Sequence, residues 1–523
     1  MLCKLNHRFH GFLYQTLSIG IILLLGILTF AVTAWGVSAL PNEPKEQNSL
    51  AQQIDKILKA QSVSKTQWGI YIESDLGEVL YQYHGGNALI PASVTKLLTT
   101  ASAMALLGPN YCIPTEFLMA GVLDSLGTLH GDLVVKGYGD PSLAALEQWD
   151  AIQLTEQWSD TLMKLGLKSI TGSIWGDGMA TDPEGCRDSW DNEDLSNIYG
   201  AEVSALSLAN NSLRVSILPT SRSGNYPEIH RWPTSVPILF DNRILTAHRG
   251  GSVNISPMLN HLNGVEFLLL EGTMSSSSSP VNRTVPLEQP APLFLAAIMD
   301  GFNAKGIKSS GGIGGWRSPV VSVNYTIPVS NSGPVNFPKA SDTLYVHWSP
   351  PLCEIIEFIN TQSHNLGAEL LIRHLGWRIT GSGGFRSGEK AALRWITAAG
   401  LDTSGMNWVD GCGLARSNLM TSKFIVQMLQ VMNHSPWADD FRNSLAVMGQ
   451  TGTLRGRGGN NGLVGQVWAK TGSMSGVRNI AGYMKTRTGK QVVFCIMANS
   501  TTRSSARLRY TQDQILNILY ESL

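Results

Sequence analysis

The sequence predicts an α+β protein in which a sheet with helices on both faces is interrupted by a large β-rich insertion. Before residue 113 the chain shows strand-like alternation and one long apolar helix, whereas residues 113–340 are short strand-like pieces separated by Gly, Ser, Pro and Asn. Helical patterns then return, and three apolar runs and a last helix end the chain. We therefore expect one domain from residues 48–112 and 341–523, with one or two inserted domains at 113–340.

The composition is that of a folded protein without overall charge. Of 523 residues, 43% are hydrophobic and 15% are charged, which excludes a disordered chain. Lys and Arg total 39, and Asp and Glu also total 39. The positive and negative charges therefore balance, and the sequence has no local cluster of basic residues. Without a positive electrostatic field to attract phosphates, we expect no nucleic-acid partner.

Each element follows from a local pattern. Residues 42–48 are predicted to be a polar linker, residues 68–73 and 78–83 a hairpin, and residues 93–107 an apolar helix. The glycine-rich residues 311–315 are followed by neither G-K-[ST] nor a helix, so a phosphate loop is not expected. Later helices are predicted at 352–360, 366–375, 388–399, 421–432 and 505–523, and strands at 463–468, 480–484 and 492–497, with a turn at 487–490.

The first 39 residues have the pattern of an export signal. Lys4 and Arg8 precede an apolar run at 19–35, and short side chains follow at 37–39. A permanent membrane anchor remains an alternative, because the run is about as long as the shorter membrane-spanning helices. Either interpretation predicts an exported protein of the periplasm or cell envelope, and the anchor alternative adds N-terminal membrane association.

The cysteines are too widely spaced for a zinc or redox motif. The six are Cys3, Cys112, Cys186, Cys353, Cys412 and Cys495. No C-x-x-C and no neighbouring His pair occurs, so we expect no metal site, whereas disulfides stay open.

Lys470, Thr471 and Gly472, followed by Ser473, come after a strand-like run. A lysine with a hydroxyl neighbour on an edge strand can bind a substrate carboxylate. The glycine has no side chain, so a ligand can lie along the strand. Taken alone, the tripeptide also fits a surface lysine at a strand end.

Ser-x-x-Lys occurs at Ser62 and at Ser93, and context separates these two copies. Ser62 and Lys65 lie in a polar stretch, whereas Ser93 and Lys96 open the apolar helix. A spacing of three residues places hydroxyl and amine on one helix face, and the helix N-terminus favours negative charge developing at the serine. Desolvation lowers the basicity of Lys96, which can then accept the serine proton. A plain N-cap serine is the alternative reading of Ser93.

Ser-x-Asn is a weaker signal. Of its four copies, three lie in the insertion, and one, Ser363-His364-Asn365, lies between two predicted helices ahead of Lys470. A single copy also fits a turn, so this motif gains weight only from its place in the order.

Together, in this order, the three motifs resemble the penicillin-binding-protein and serine β-lactamase superfamily. The long separation of Lys96 from Ser363 narrows the resemblance to the D-alanyl-D-alanine carboxypeptidase/endopeptidase family of low-molecular-mass class C penicillin-binding proteins. Three further segments resemble motifs of that family: residues 137–141 (GYGDP), 410–414 (DGCGL) and 452–457 (GTLRGR). The resemblance covers residues 48–523. It implies a transpeptidase-like domain, an antiparallel sheet flanked by helices, with the insertion directly after the nucleophile helix.

The resemblance also implies an exported serine-type D-Ala-D-Ala carboxypeptidase, with DD-endopeptidase activity left open. Ser93 would attack the penultimate D-Ala carbonyl, with Lys96 as its general base. The backbone N–H groups of Ser93 and Ser473 would form the oxyanion hole. Ser363, backed by Lys96 or Lys470, would pass a proton to the departing amine.

Substrate binding would fall to the other motif residues. Asn365 would hold the substrate amide, Lys470 and Thr471 would bind the terminal carboxylate, and Gly472 and Ser473 would complete the strand. The partners implied are peptidoglycan peptides ending in D-Ala-D-Ala and, as covalent inhibitors, β-lactam antibiotics. No metal or organic cofactor is required.

Two other functions stay open, a β-lactamase-like hydrolase or esterase and a non-catalytic protein that binds or senses the cell wall. Because the motifs lie outside residues 113–340, we expect the insertion to be dispensable for acylation but not for recognition of the cell wall. His364 and Cys412 depart from the family pattern, which often has an acidic residue or Asn at the first position and Ser at the second.

Overall fold

A computed structural model describes residues 45–60, 65–182, 189–262, 265–318, 322–324, 337–459, 462–500 and 504–523. The predicted signal or anchor at 1–39, together with Ser62 and Cys186, lies outside these residues. Within the described part, no helix is both long enough and apolar enough to span a bilayer. Cys353, Cys412 and Cys495 carry free thiols.

The helices occur before, within and after the insertion. They are α1 (Lys45–Ala60), α2 (Thr95–Leu107), α3 (Pro141–Ala144), α4 (Gln148–Lys164), α5 (Asn192–Leu195), α6 (Pro290–Lys305), α7 (Leu352–Gln362), α8 (Asn365–Thr380), α9 (Phe385–Ala398), α10 (Ser422–Asn433), α11 (Ala438–Asn443) and α12 (Ser505–Ser522).

The strands fall into two groups. Those of the first and last parts of the chain are β1 (Thr66–Ser74), β2 (Val79–Tyr83), β3 (Ala88–Leu89), β18 (Met420–Thr421), β19 (Ala446–Val447), β20 (Val467–Met474), β21 (Val477–Lys485) and β22 (Gln491–Ser500). Those between them are β4 (Pro114–Leu123), β5 (Thr128–Gly137), β6 (Ser169–Ile170), β7 (Ile174–Asp177), β8 (Ser212–Leu218), β9 (Glu228–Trp232), β10 (Leu239–Ala247), β11 (Asn254–Leu262), β12 (Val265–Ser275), β13 (Val281–Pro286), β14 (Lys308–Ser309), β15 (Ile313–Arg317), β16 (Ser322–Asn324) and β17 (Asp342–Trp348).

One antiparallel sheet joins the two ends of the chain, in the order β19-β20-β21-β22-β1-β2. Alternate residues of its strands point to opposite faces, and both faces are buried. In β1, Ile70 and Ile72 pack in the core with α1 and α12, whereas Tyr71 packs with α2, α8 and α10. The predicted sheet with helices on both faces is confirmed.

The insertion is a mixed structure rather than a purely β-rich one. Its eight-stranded sheet runs β14-β6-β5-β7-β15-β16, with β4 on β5 and β17 on β4, and two three-stranded sheets accompany it. Helices α4 and α6 pack against the sheet through a shared core that includes Trp158 and Phe294. The apolar sequence of α6 is buried along most of its length, and buried helices lack the polar face that marks a surface helix.

Three predicted boundaries differ from the structure. Strand β17 pairs with β4, so the inserted sheet extends to Trp348, beyond the expected boundary at 340. The expected linker at 42–48 is already helical from Lys45, because Leu50, Ile54 and Leu58 of α1 pack against α12. The strand expected at 463–468 begins only at Val467, after glycines 462 and 465 with φ of 72° and 74° that favour a turn.

Candidate active site

Ser93 and Lys96 meet at the start of α2. Ser93 lies in a 3-10 turn over Ala92–Val94, and α2 follows directly, so the α-helix starts two residues later than expected. Lys96 Nζ lies 3.0 Å from Ser93 Oγ, which places the predicted nucleophile and base within hydrogen-bond distance. Ala92 has a φ of 47°, and a side chain at Gly413 would collide with its carbonyl oxygen, so that glycine permits the tight approach.

Lys96 is fully buried and is held by two carbonyl oxygens. Its Nζ donates to Asn365 Oδ1 at 2.7 Å and to the Cys412 carbonyl at 2.6 Å. Burial lowers the pKa of Lys96 below the usual lysine range, because the charged form loses its hydration. A neutral amine has two N–H groups for the two carbonyls and one lone pair, which is then free to accept the proton of Ser93.

Ser363 and Asn365 lie at the junction between α7 and α8. Ser363 ends α7 in the left-handed conformation, with a φ of 59°, and Asn365 is the first residue of α8. This reversal of the chain brings Asn365 to Lys96, from which it is 269 residues distant in sequence. The predicted position of the motif between two helices is confirmed.

Lys470 lies on β20 and is also fully buried. Its Nζ donates to Ser363 Oγ at 2.8 Å and to the Thr471 carbonyl at 2.8 Å. Burial, and then the nearby charge of Lys96, hold the pKa of Lys470 well below its usual range. The arrangement therefore has two desolvated amines, each within hydrogen-bond distance of a serine hydroxyl.

Strand β20 has an open edge beside these groups. The short strand β19 pairs with Trp468 and Ala469, and within the described residues no strand pairs with that edge from Lys470 onward. A Cβ on Gly472 would lie 2.4 Å from the Pro91 carbonyl oxygen, so glycine is required here for contact with the Ser93 turn, a reason that the sequence did not indicate. Thr471 donates its hydroxyl proton to Thr453 Oγ1 at 2.8 Å, and Ser473 is exposed.

Behind Lys96 lies a buried polar network that the sequence analysis did not assign to the site. Glu369 accepts from the Cys412 backbone N–H at 2.7 Å and from Arg373 at 2.6 Å. Asp410 accepts from the backbone N–H groups of Gly413 and Ala415, each at 2.6 Å. These bonds shape the turn that presents the Cys412 carbonyl to Lys96, and the Asp-Gly-x-Gly pattern at 410–413 was the available signal.

Glu369, Asp410 and Cys412 also place one potential ligand atom each within 4.8 Å of one another. The two carboxylates already accept hydrogen bonds from protein donors. Burial and the neighbouring acidic groups raise the pKa of the Cys412 thiol well above its usual value, and a metal needs the thiolate. These contacts describe a structural network that supports Lys96.

The insertion reaches this site, although every predicted catalytic motif lies outside residues 113–340. Asn365 Nδ2 donates to the Tyr199 carbonyl at 2.9 Å, and Trp190 Nε1 donates to Asp410 Oδ2 at 2.9 Å. Trp190 also shares the core of α2 and α8. No sequence spacing links these residues to the motifs, so only their packing reveals the contact.

Residues 50–521 match the D-Ala-D-Ala carboxypeptidase 3 (S13) family. The chain is 28% identical to a D-alanyl-D-alanine carboxypeptidase from an Actinomadura species, over 86% of this chain and 81% of that protein. Its fold is similar to the crystal structure of penicillin binding protein 4 (dacB) from Haemophilus influenzae, with a TM-score of 0.71, 22% identity and coverage of 89% of this chain and 98% of that one. The same Haemophilus protein complexed with a β-lactam matches with a TM-score of 0.66, 21% identity and coverage of 91% and 99%.

Proposed function

This chain belongs to the D-Ala-D-Ala carboxypeptidase 3 (S13) family and is a D-Ala-D-Ala carboxypeptidase, and we propose that its reaction runs through an acyl-enzyme on Ser93. The observation that carries the proposal is the contact of Ser93 Oγ with Lys96 Nζ at 3.0 Å, in a setting that disfavours the charged lysine. A neutral amine beside a hydroxyl is the arrangement that nucleophilic catalysis by serine needs.

In the proposed first step, Lys96 takes the Ser93 proton as Oγ bonds to the carbonyl carbon of the penultimate D-Ala. The carbonyl oxygen becomes an oxyanion, which the backbone N–H groups of Ser93 and Ser473 stabilise. The close packing of Gly472 on Pro91 supports this pairing, because it brings strand β20 next to the Ser93 turn.

In the second step, the tetrahedral intermediate collapses and the bond to the terminal D-Ala nitrogen breaks. Ser363 passes a proton to the departing amine and is reprotonated by Lys470, whose Nζ lies 2.8 Å from Ser363 Oγ. Lys96 then gives up the proton taken from Ser93, and Lys470, which gave one away, takes one up, so both amines return to their starting states. Water attacks the acyl carbon with Lys96 again as the base, the ester bond to Ser93 Oγ breaks, and Lys96 returns the proton to Oγ.

We also propose the substrate-binding roles and the domain division. The peptide lies along the open edge of β20, beside Gly472 and Ser473. Asn365 binds the amide of the peptide, and Lys470 and Thr471 bind its terminal carboxylate. Residues 48–112 and 341–523 act as the catalytic unit around the insertion, whose sheet also includes β17. Residues 1–39 direct the chain to the cell envelope, where peptidoglycan lies, as a cleaved signal or an anchor.

The test of the function is release of D-alanine by the purified protein. We expect release from a peptide ending in D-Ala-D-Ala, none from its L-Ala-L-Ala counterpart, and loss of activity after exposure to penicillin. Rapid hydrolysis of penicillin without peptide cleavage would instead identify a β-lactamase-like enzyme. Absence of both activities, with no covalent labelling, would identify a non-catalytic protein.

Lys470→Ala should reduce cleavage of a peptide with a free C-terminal carboxylate far more than that of an analogue with a blocked carboxyl. Among the described residues no acidic group raises the pKa of buried Lys470, so a substrate carboxylate would raise that pKa and restore the charge. Loss of one partner of a desolvated charge pair costs about 2–5 kcal/mol, which is on the order of 30- to several-thousand-fold in kcat/KM.

The matched control for that experiment is Lys485→Ala, at an exposed position on the neighbouring strand β21, which should leave both substrates unaffected. Equal losses on the two substrates in Lys470→Ala would assign Lys470 to proton transfer through Ser363 alone, and the carboxylate role would be withdrawn.

A further inference from the structure

His364, the middle residue of the Ser363–Asn365 motif, connects helix α8 to the insertion. Its Nδ1 accepts a hydrogen bond from the Gly367 backbone N–H at 2.9 Å and so caps α8. Its Nε2 lies 2.7 Å from Asn210 Oδ1, in the inserted domain. Phe358 packs edge-on against the ring at 5.0 Å. A Cβ at Gly367 would lie 2.7 Å from Nδ1, so the glycine leaves room for the ring over the helix end.

The two hydrogen bonds define the state of the ring. Because Nδ1 accepts from a backbone N–H, it carries no proton, and the single proton of the neutral imidazole is on Nε2. Nε2 therefore donates to the side-chain Oδ1 of Asn210. Burial, together with the charge of Lys96, lowers the pKa of His364 to about 4, which is consistent with this neutral form.

Asn210 is presented to His364 by an unusual turn. Ala209, Asn210 and Asn211 have φ values of 49°, 56° and 51°, a conformation that L-residues rarely adopt in succession. The Asn211 side chain holds the turn, since it accepts from the Leu208 backbone N–H at 3.0 Å and donates to the Glu202 carbonyl at 2.7 Å. Such backbone strain persists only where surrounding contacts maintain it, and here it points Asn210 at the catalytic motif.

A second contact from the insertion falls on the next residue. Asn365 donates from Nδ2 to the Tyr199 carbonyl and accepts from Lys96 at Oδ1. One N–H of its amide thus remains for a substrate. The insertion therefore contacts two consecutive residues of the motif, one of which bonds directly to the proposed base.

We propose that His364 and Asn210 form a positioning bridge through which the insertion holds Asn365 against Lys96. His364 touches neither Ser93 nor, in the proposed mechanism, the substrate, and it acts through the orientation of Asn365. The insertion then contributes to acylation, in contrast to the expectation that it is dispensable. This inference rests on the proposed acylation of Ser93.

The bridge can be removed from either side without removing the cap. His364→Asn keeps a side-chain oxygen that can accept from Gly367 but does not reach Asn210. Asn210→Gly deletes the acceptor and tolerates a positive φ. Asn210→Asp keeps an acceptor in place and serves as the conservative rescue. His230→Asn, at an exposed histidine of the insertion, is the matched control.

The measurement is the acylation of Ser93 by fluorescent penicillin at increasing concentrations. We expect His364→Asn and Asn210→Gly each to lower the maximal acylation rate by about two- to tenfold, the size expected of one neutral hydrogen bond. The penicillin concentration for half-maximal rate should stay unchanged, because a positioning residue affects the chemical step. The double variant should match the single ones, and Asn210→Asp and His230→Asn should match the wild type.

Wild-type rates in His364→Asn and Asn210→Gly, or losses that multiply in the double variant, would overturn the bridge. The bridge would also be overturned if every variant lost acylation rate in step with its melting temperature and Asn210→Asp did not restore the rate. Failure of the wild-type protein to label on Ser93 would instead refute the proposed function itself, so the two failures are distinguishable.

Discussion

Ser93→Ala is expected to abolish covalent labelling by penicillin and to lower D-alanine release by about 10⁴- to 10⁶-fold, the loss seen when a catalytic serine is removed. The variant lacks the oxygen that forms the acyl bond, so no acyl-enzyme can accumulate. Substrate binding should survive, because the oxyanion hole would use the backbone N–H of residue 93 and not its side chain. A competition assay with a D-Ala-D-Ala peptide checks that binding.

Ser62, which opens another Ser-x-x-Lys copy, supplies the control for this experiment. Ser62→Ala should label and cleave like the wild type, and peptide mapping after penicillin treatment should find the adduct on Ser93. The melting temperature of Ser93→Ala should stay near that of the wild type, since the Ser93 hydroxyl lies in a partly exposed turn. An adduct at Ser62, or at no serine, would contradict the mechanism.

Lys96→Met is expected to slow acylation by about 10²- to 10⁴-fold, the usual contribution of a general base. Methionine occupies a similar volume and keeps the buried site filled. It removes the amine that lies 3.0 Å from Ser93 Oγ, so the serine proton has no acceptor there. Single-turnover acylation by fluorescent penicillin measures this step without interference from hydrolysis of the acyl-enzyme.

The pH dependence identifies the base. Burial lowers the pKa of Lys96, and the active form is the neutral one, so wild-type acylation should rise with pH and level off below the usual lysine pKa. Lys96→Met should lose that rise, whereas Lys65→Met, at the exposed lysine of the copy that begins at Ser62, should retain it. A rise that persists unchanged in Lys96→Met would assign the base to another group.

The sequence predicted well what depends on residues close together in the chain. The hairpin of β1 and β2 follows from alternation over a few residues, and the pairing of Ser93 with Lys96 follows from one helical turn. The apolar helix after Ser93 was the reason to prefer it to Ser62, and that choice stays a prediction. Helix α6 was missed because it is buried nearly all round, and a pattern without a polar face does not reveal its period.

By itself, the sequence determined the order of the three motifs and the chemistry that each residue type can perform. Only the tertiary structure decided which groups meet: Asn365 reaches Lys96 across 269 positions, and Lys470 points at Ser363 across 107. It also brought Tyr199 and Asn210 of the insertion to the catalytic motif. The physical reason is that local spacing controls contacts within a turn or a strand, whereas contacts between distant segments depend on how the whole core packs.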